Sequence, residues 1–143
     1  MQAAFNRLRQ AASDMTPAFN DVGEFYIRKI DNQFRTETDP FGSPWAALKP
    51  KTIARKQKDR KILKVLQSTG LLRGTFSYTA DSSSVEIGTN RVSASGVPLG
   101  ILHQLGSRKG LPARPMLPET DRLPPQDLEE VLAILEEHIT EVW

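Results

Sequence analysis

Thr75-Phe76-Ser77-Tyr78-Thr79-Ala80-Asp81-Ser82-Ser83-Ser84-Val85-Glu86-Ile87 is a run in which strand and turn chemistry follow one another without interruption. Phe76, Tyr78 and Ala80 alternate with polar residues, the Asp-Ser-Ser-Ser segment supplies a turn, and Val85 and Ile87 resume the alternation. This spacing predicts a hairpin with one buried face. Upstream, Phe5, Leu8, Ala12, Met15, Phe19, Val22, Tyr26, Ile30 and Phe34 recur at intervals of three and four, the pattern of a helix with one apolar stripe. Thr16-Pro17 fits an N-cap with proline at the first helical position, which predicts a restart and a main helix over 17–36, stopped by Asp39-Pro40. Downstream, Leu128, Val131, Leu132, Leu135, Ile139 and Val142 share one face of a helix over about 125–141, with Asp127, Glu129 and Glu130 near its positive end. The expected fold is α+β: a small antiparallel sheet packed against a long N-terminal helix and a C-terminal helix, with extended loops.

The remaining segments read as punctuation. Phe41-Gly42-Ser43-Pro44-Trp45 predicts a tight turn that returns Trp45 and Leu48 to the core, with Phe41 and Trp45 as core anchors. Lys49 to Lys58 reads as a short basic helix or extended arm, and Ser68 or Thr69 as a cap for the turn carrying Leu71 and Leu72. Residues 90–100 form a loop, Ile101 to Leu105 a helical turn closed by Gly106, and Ser107-Arg108-Lys109-Gly110 an exposed loop. The 143 residues fit a single domain, with a helical extension over 1–16, a basic arm over 49–64 and an acidic helical region over 119–143.

Composition narrows the chemistry. No stretch approaches the roughly 20 apolar residues of a membrane span, so no membrane partner is expected, and the start lacks a signal-peptide pattern, which points to cytoplasmic synthesis. The absence of cysteine excludes disulfides, thiol catalysis and cysteine zinc sites. The net charge of +2 hides a strong polarity. Lys49, Lys51, Arg55, Lys56, Lys58, Arg60, Lys61 and Lys64 share their segment with one acid, Asp59; Glu119 to Glu141 holds eight acids and one base, Arg122. Such opposition suits head-to-tail contact between subunits, a geometry that builds rings.

His103 is the obvious acid–base candidate, yet its motif supplies no catalytic partner, so it reads as a residue that orders a turn or sits at an interface. His138, between acidic neighbours, reads as solvated, and two distant histidines without ligand spacing predict no metal site. No phosphate-binding loop or nucleophile elbow is present; neither catalysis nor a cofactor is expected. Arg114, stiffened by Pro112 and Pro115, could clamp a carboxylate of a neighbouring subunit. The basic segment has no interleaved aromatics after Trp45, leaving a solvated or subunit-facing surface or the lining of a DNA channel as its uses.

Five motifs in fixed order resemble the virion morphogenesis family of tailed bacteriophages. They lie at Phe41 to Leu48, Leu66 to Leu72, Val85 to Asn90, Ile101 to Gly106 and Pro112 to Leu117, within roughly residues 17–140. The resemblance implies a structural protein of the phage neck or tail top, assembled in the bacterial host: a ring that completes the tail, meets the connector or stopper and the tail tube or sheath, and surrounds duplex DNA without reading its sequence. It implies a hexamer, or failing that a dodecamer. The positions it carries over are scaffold positions: Phe41, Gly42, Trp45, Leu48, Thr69, Gly70, Leu72, His103, Gln104, Gly106, Pro112, Arg114 and Pro115. A basic DNA-binding accessory protein acting in virion assembly is the alternative.

Overall fold

The computed structural model describes residues 1–68, 70–119 and 121–141. In chain order these form α1 (Gln2–Ser13), α2 (Thr16–Thr36), α3 (Pro50–Lys58), a 3-10 turn (Arg73–Thr75), β1 (Ser77–Ala80), β2 (Val85–Gly88), α4 (Leu99–Leu105) and α5 (Pro125–Thr140). The two strands pair as the expected antiparallel hairpin, so the fold is α+β. Its Asp81 turn is locked locally, because Asp81 Oδ1 accepts the amides of Ser83 and Ser84 at 2.8 Å each.

Spatial neighbours group into two compact units. One holds residues 1–27, 77–87 and the C-terminal segment; the other holds 28–76 and 88–119. In the first, Ala18, Val22 and Tyr26 form the buried stripe of α2. Gly23 lies in the same stripe, and a Cβ there would fall 2.3 Å from the Tyr78 ring, so β1 packs its aromatic side chain directly on helix backbone. The Tyr78 hydroxyl donates to Glu24 at 3.0 Å. α1 touches α5 without burying any of its own residues. The helical restart is capped by Asp14 rather than Thr16: Asp14 Oδ1 accepts the Thr16 amide, which holds its carboxyl below the usual range. His138, expected to be solvated, instead reaches Asp14 O at 3.1 Å.

The stripe of α5 also differs from expectation. Leu128 and Leu132 are 45% and 54% exposed, while Asp127 is buried and Val131, Ile134, Leu135 and Ile139 are half-buried. The buried face therefore lies one step round the helix, and Asp127 sits beside the buried Tyr26, whose phenol is raised by burial and then by that carboxylate. Val142 lies outside the described residues.

In the second unit the core is built on Phe34, which is fully buried. Trp45 and Phe76 pack against it with ring centroids at 5.3 and 5.9 Å, the first edge-on. Ile30, Val65, Leu72 and Met116 complete that core. α2 ends before Asp39-Pro40, because Glu37 takes a left-handed φ of 57° and the Thr38 amide bonds back to Gln33 O at 3.1 Å. A non-glycine residue in that region costs about 1–2 kcal/mol, and Glu37 offsets it by accepting the Val65 amide through its carboxylate and the Trp45 amide through its carbonyl. The carbonyls freed at the helix end find donors on a later segment: Gln67 Nε2 bonds Phe34 O at 2.7 Å and Lys64 Nζ bonds Arg35 O at 3.0 Å.

Candidate functional site

Three of the punctuated motifs meet in the second unit, and they do so through main-chain atoms. α4 presents Gln104 to the segment after Pro115: its Oε1 accepts the amides of Met116 and Leu117 at 2.8 and 3.1 Å, and its Nε2 donates to Leu117 O at 2.7 Å. A side-chain amide thus replaces a missing neighbouring strand. Pro115 O accepts Trp45 Nε1 at 2.7 Å, and Met116 O accepts Gln33 Nε2 at 2.8 Å. Arg114 donates from Nε to Ala46 O at 2.8 Å and from Nη2 to Ala47 O at 3.2 Å, so it clamps the chain leaving Trp45 within its own subunit. Arg114, expected to seek a neighbour's carboxylate, is 7% exposed as a residue and spends its guanidinium on these two carbonyls.

Gly106 makes this meeting possible. Its φ is +72°, and a Cβ there would lie 2.7 Å from Leu111 O and 2.8 Å from Ala113 N, so both conformation and space demand glycine. Gly42 and Gly70 also take left-handed φ values, of 89° and 77°. The Asp39 carboxylate holds the turn at Gly42 by accepting the amides of Phe41 and Ser43, which places Phe41 at the tip. Phe41 is 48% exposed and does not join Trp45 in the core; the turn directs it outward. Leu48 and Pro112 are half-buried and Leu72 is buried, whereas Thr69 lies outside the described residues.

Beside the clamps opens a cleft of about 620 Å³. Lys49 at the N-cap of α3, Arg55 within that helix, Arg91 from the loop after β2 and Lys109 from the loop after α4 stand round it, with Lys56, His103 and Arg114 also in its wall. Leu48, Leu66, Leu71, Leu72, Leu99 and Leu111 form its apolar part, and no Asp or Glu among the described residues lines it. Of the eight basic residues predicted as one surface, only Lys49, Arg55 and Lys56 contribute. Lys51 and Lys58 lie elsewhere on α3, and Arg60, Lys61 and Lys64 follow it. Lys56 itself is a correction: it is 6% exposed and donates from Nζ to Ile62 O and Lys64 O at 3.1 and 2.8 Å. Burial, then the charges of Arg114 and Arg55, lower its pKa. Arg91 and Lys109 escaped the sequence reading because each sits in a loop outside the conspicuous cationic run of residues 49–64, and no local pattern in the sequence brings them to it.

His103 contributes to the wall without catalytic geometry. Its carbonyl accepts the Arg114 amide at 2.7 Å, while Nδ1 is buried with no hydrogen-bond partner among the described residues. Burial and the Arg114 charge lower its pKa below the ordinary histidine value of 6.5. The unfolded chain therefore binds a proton more readily, so stability is complete above about pH 6.5 and declines as pH falls through the lower folded value. Thermal melts between pH 7.5 and 5 should show this decline, and His103→Gln should flatten it; an unchanged slope in the variant would assign the decline to other groups.

Residues 1–140 match the profile of the phage virion morphogenesis family. The chain belongs to that family. No curated protein and no solved structure matches it. Membership gives this virion morphogenesis protein a role in virion assembly and associates it with the virion. No helix among its described residues is long and apolar enough to cross a membrane.

Proposed function

We propose that this virion morphogenesis protein is a structural component of the phage neck or tail top, forming a ring that joins the completed tail to the head connector around the DNA channel. The observation that carries this reading is how the motif residues are used. Gln104, Arg114, Trp45 and Gly106 serve to hold three loop segments against one another, and His103 lends a carbonyl to the same join. A rigid framework with loops projecting from it suits an adaptor between larger assemblies. Self-association into a hexamer, with a dodecamer as the second choice, follows the family expectation, and the opposed charges of α3 and α5 supply a physical basis for closure. Duplex DNA passes through the ring without being read, and the connector or stopper and the tail tube or sheath are its neighbours.

Removing the gene tests this. Infected cells should accumulate filled heads and separate tails, and purified protein added to that lysate should join them. Joined, infectious particles in its absence would reject the neck assignment, whatever the protein does elsewhere in assembly.

A further inference from the structure

The basic cleft and the outer face of α5 have complementary make-up. Lys49, Arg55, Arg91 and Lys109 surround a wall containing Leu71, which is 51% exposed, and no carboxylate among the described residues answers those cations within the cleft. On α5, Leu128 and Leu132 stand one turn apart and open to solvent, and at 100° per residue Glu129 and Glu136 fall on the same side of the helix as these leucines. Both Glu129 and Glu136 are exposed. We propose that the cleft receives the outer face of α5 from a second copy of the chain, its leucines against Leu71 and its glutamates against Lys49, Arg55 and Lys109. The inference deepens the ring reading and rests on it by naming the contact through which copies join.

A second copy fits better than a nucleic acid. Phosphates would use the cations but gain nothing from the leucines, whereas the α5 face supplies an apolar and an anionic partner together. Because cleft and helix are different surfaces, the contact is heterologous and passes from copy to copy until it closes. Lys56 and Arg114 are engaged with main-chain carbonyls, so the exposed cations at the rim are the ones free to steer approach.

Sedimentation of the full chain tests the contact with two variants. One carries Lys49→Glu, Arg55→Glu and Lys109→Glu; the other carries Glu129→Lys and Glu136→Lys. Each alone sets like charge against like and should raise the concentration for half-assembly by about 10- to 100-fold. Mixed in equal amounts they should assemble again, since the reversed cleft of one meets the reversed helix of the other while the unaltered pair also matches. The product is an alternating ring. Circular dichroism checks folding of each variant, and if the cleft variant fails to fold, the α5 variant, altered only at exposed positions, decides alone.

Assembly of the α5 variant at wild-type concentration overturns the contact, as does a mixture of two folded variants that stays apart. Loss of duplex binding by the cleft variant with its rings intact gives the cleft to phosphates and overturns it too. Rings indifferent to both charge sets would leave the neck assignment standing, whereas joined particles lacking the protein would remove that assignment and leave the contact standing.

Discussion

Replacing Gln104 with Leu should lower the free energy of unfolding by about 3–5 kcal/mol, because it strands two amides and one carbonyl that a single side chain now satisfies, each costing about 1–3 kcal/mol when left partly buried and unpaired. Leucine fills nearly the same volume, so lost packing contributes little. The segment it releases also carries Pro115 O, the acceptor of Trp45 Nε1, and Met116 O, the acceptor of Gln33. The loss should therefore spread to the Trp45 environment rather than stay at α4. Denaturant unfolding followed by tryptophan fluorescence measures both. Gln104→Glu retains the two amide acceptances and opposes only Leu117 O, so it should fall between wild type and Leu. Equal stability of the Leu variant and wild type would show that water replaces the amide at no cost.

Lys56→Glu should be at least as damaging. The ammonium bridges the carbonyls of Ile62 and Lys64, and a charged hydrogen bond contributes about 1.5–3 kcal/mol, so reversal removes two such bonds and turns a carboxylate toward two carbonyl oxygens. A loss of about 4 kcal/mol or more removes from about a quarter to most of the margin of a domain whose total stability is about 5–15 kcal/mol. The variant is expected to give little soluble, folded protein. Lys56→Met keeps much of the aliphatic stem and should cost about 1–3 kcal/mol, while Lys58→Glu, at an exposed position on the same helix, should leave the melting temperature within about 2–4 °C of wild type. A melting temperature for Lys56→Glu as high as that of Lys58→Glu would refute the structural role of the ammonium.

That contrast marks where sequence reading succeeds. Periodicity found α2 and α5, alternation found the hairpin, and a glycine after an apolar turn found the end of α4, since each signal is local and each element is held by neighbours in the chain. Lys56 was misplaced because its burial depends on the later chain turning back, through left-handed backbone at Arg60, to bring two carbonyls to it. α5 was misphased because Leu128 and Leu132 satisfy three-and-four spacing as well as Val131 and Leu135 do; packing against α1 and the position of Asp127 decide which pair faces inward. Glu37 gave no sign of ending α2, since the residue types that favour left-handed backbone are glycine and asparagine. The cleft was half legible. Its α3 cations lie in one conspicuous run, but Arg91 and Lys109 join them only through the fold.

The clamps around α4 grip peptide groups, not the side chains those peptides carry. Ala46, Ala47, Pro115 and Leu117 are held by their carbonyl oxygens, so the identity of a held residue matters little to the grip so long as its backbone keeps its course. A lineage could thus redecorate the outward surface of these loops to suit a different docking partner while leaving the fasteners alone. Saturation mutagenesis would show that latitude as a mosaic: exacting demands at Gln104, Gly106 and Arg114, with broad permissiveness at Ala46 and Ala47 beside them.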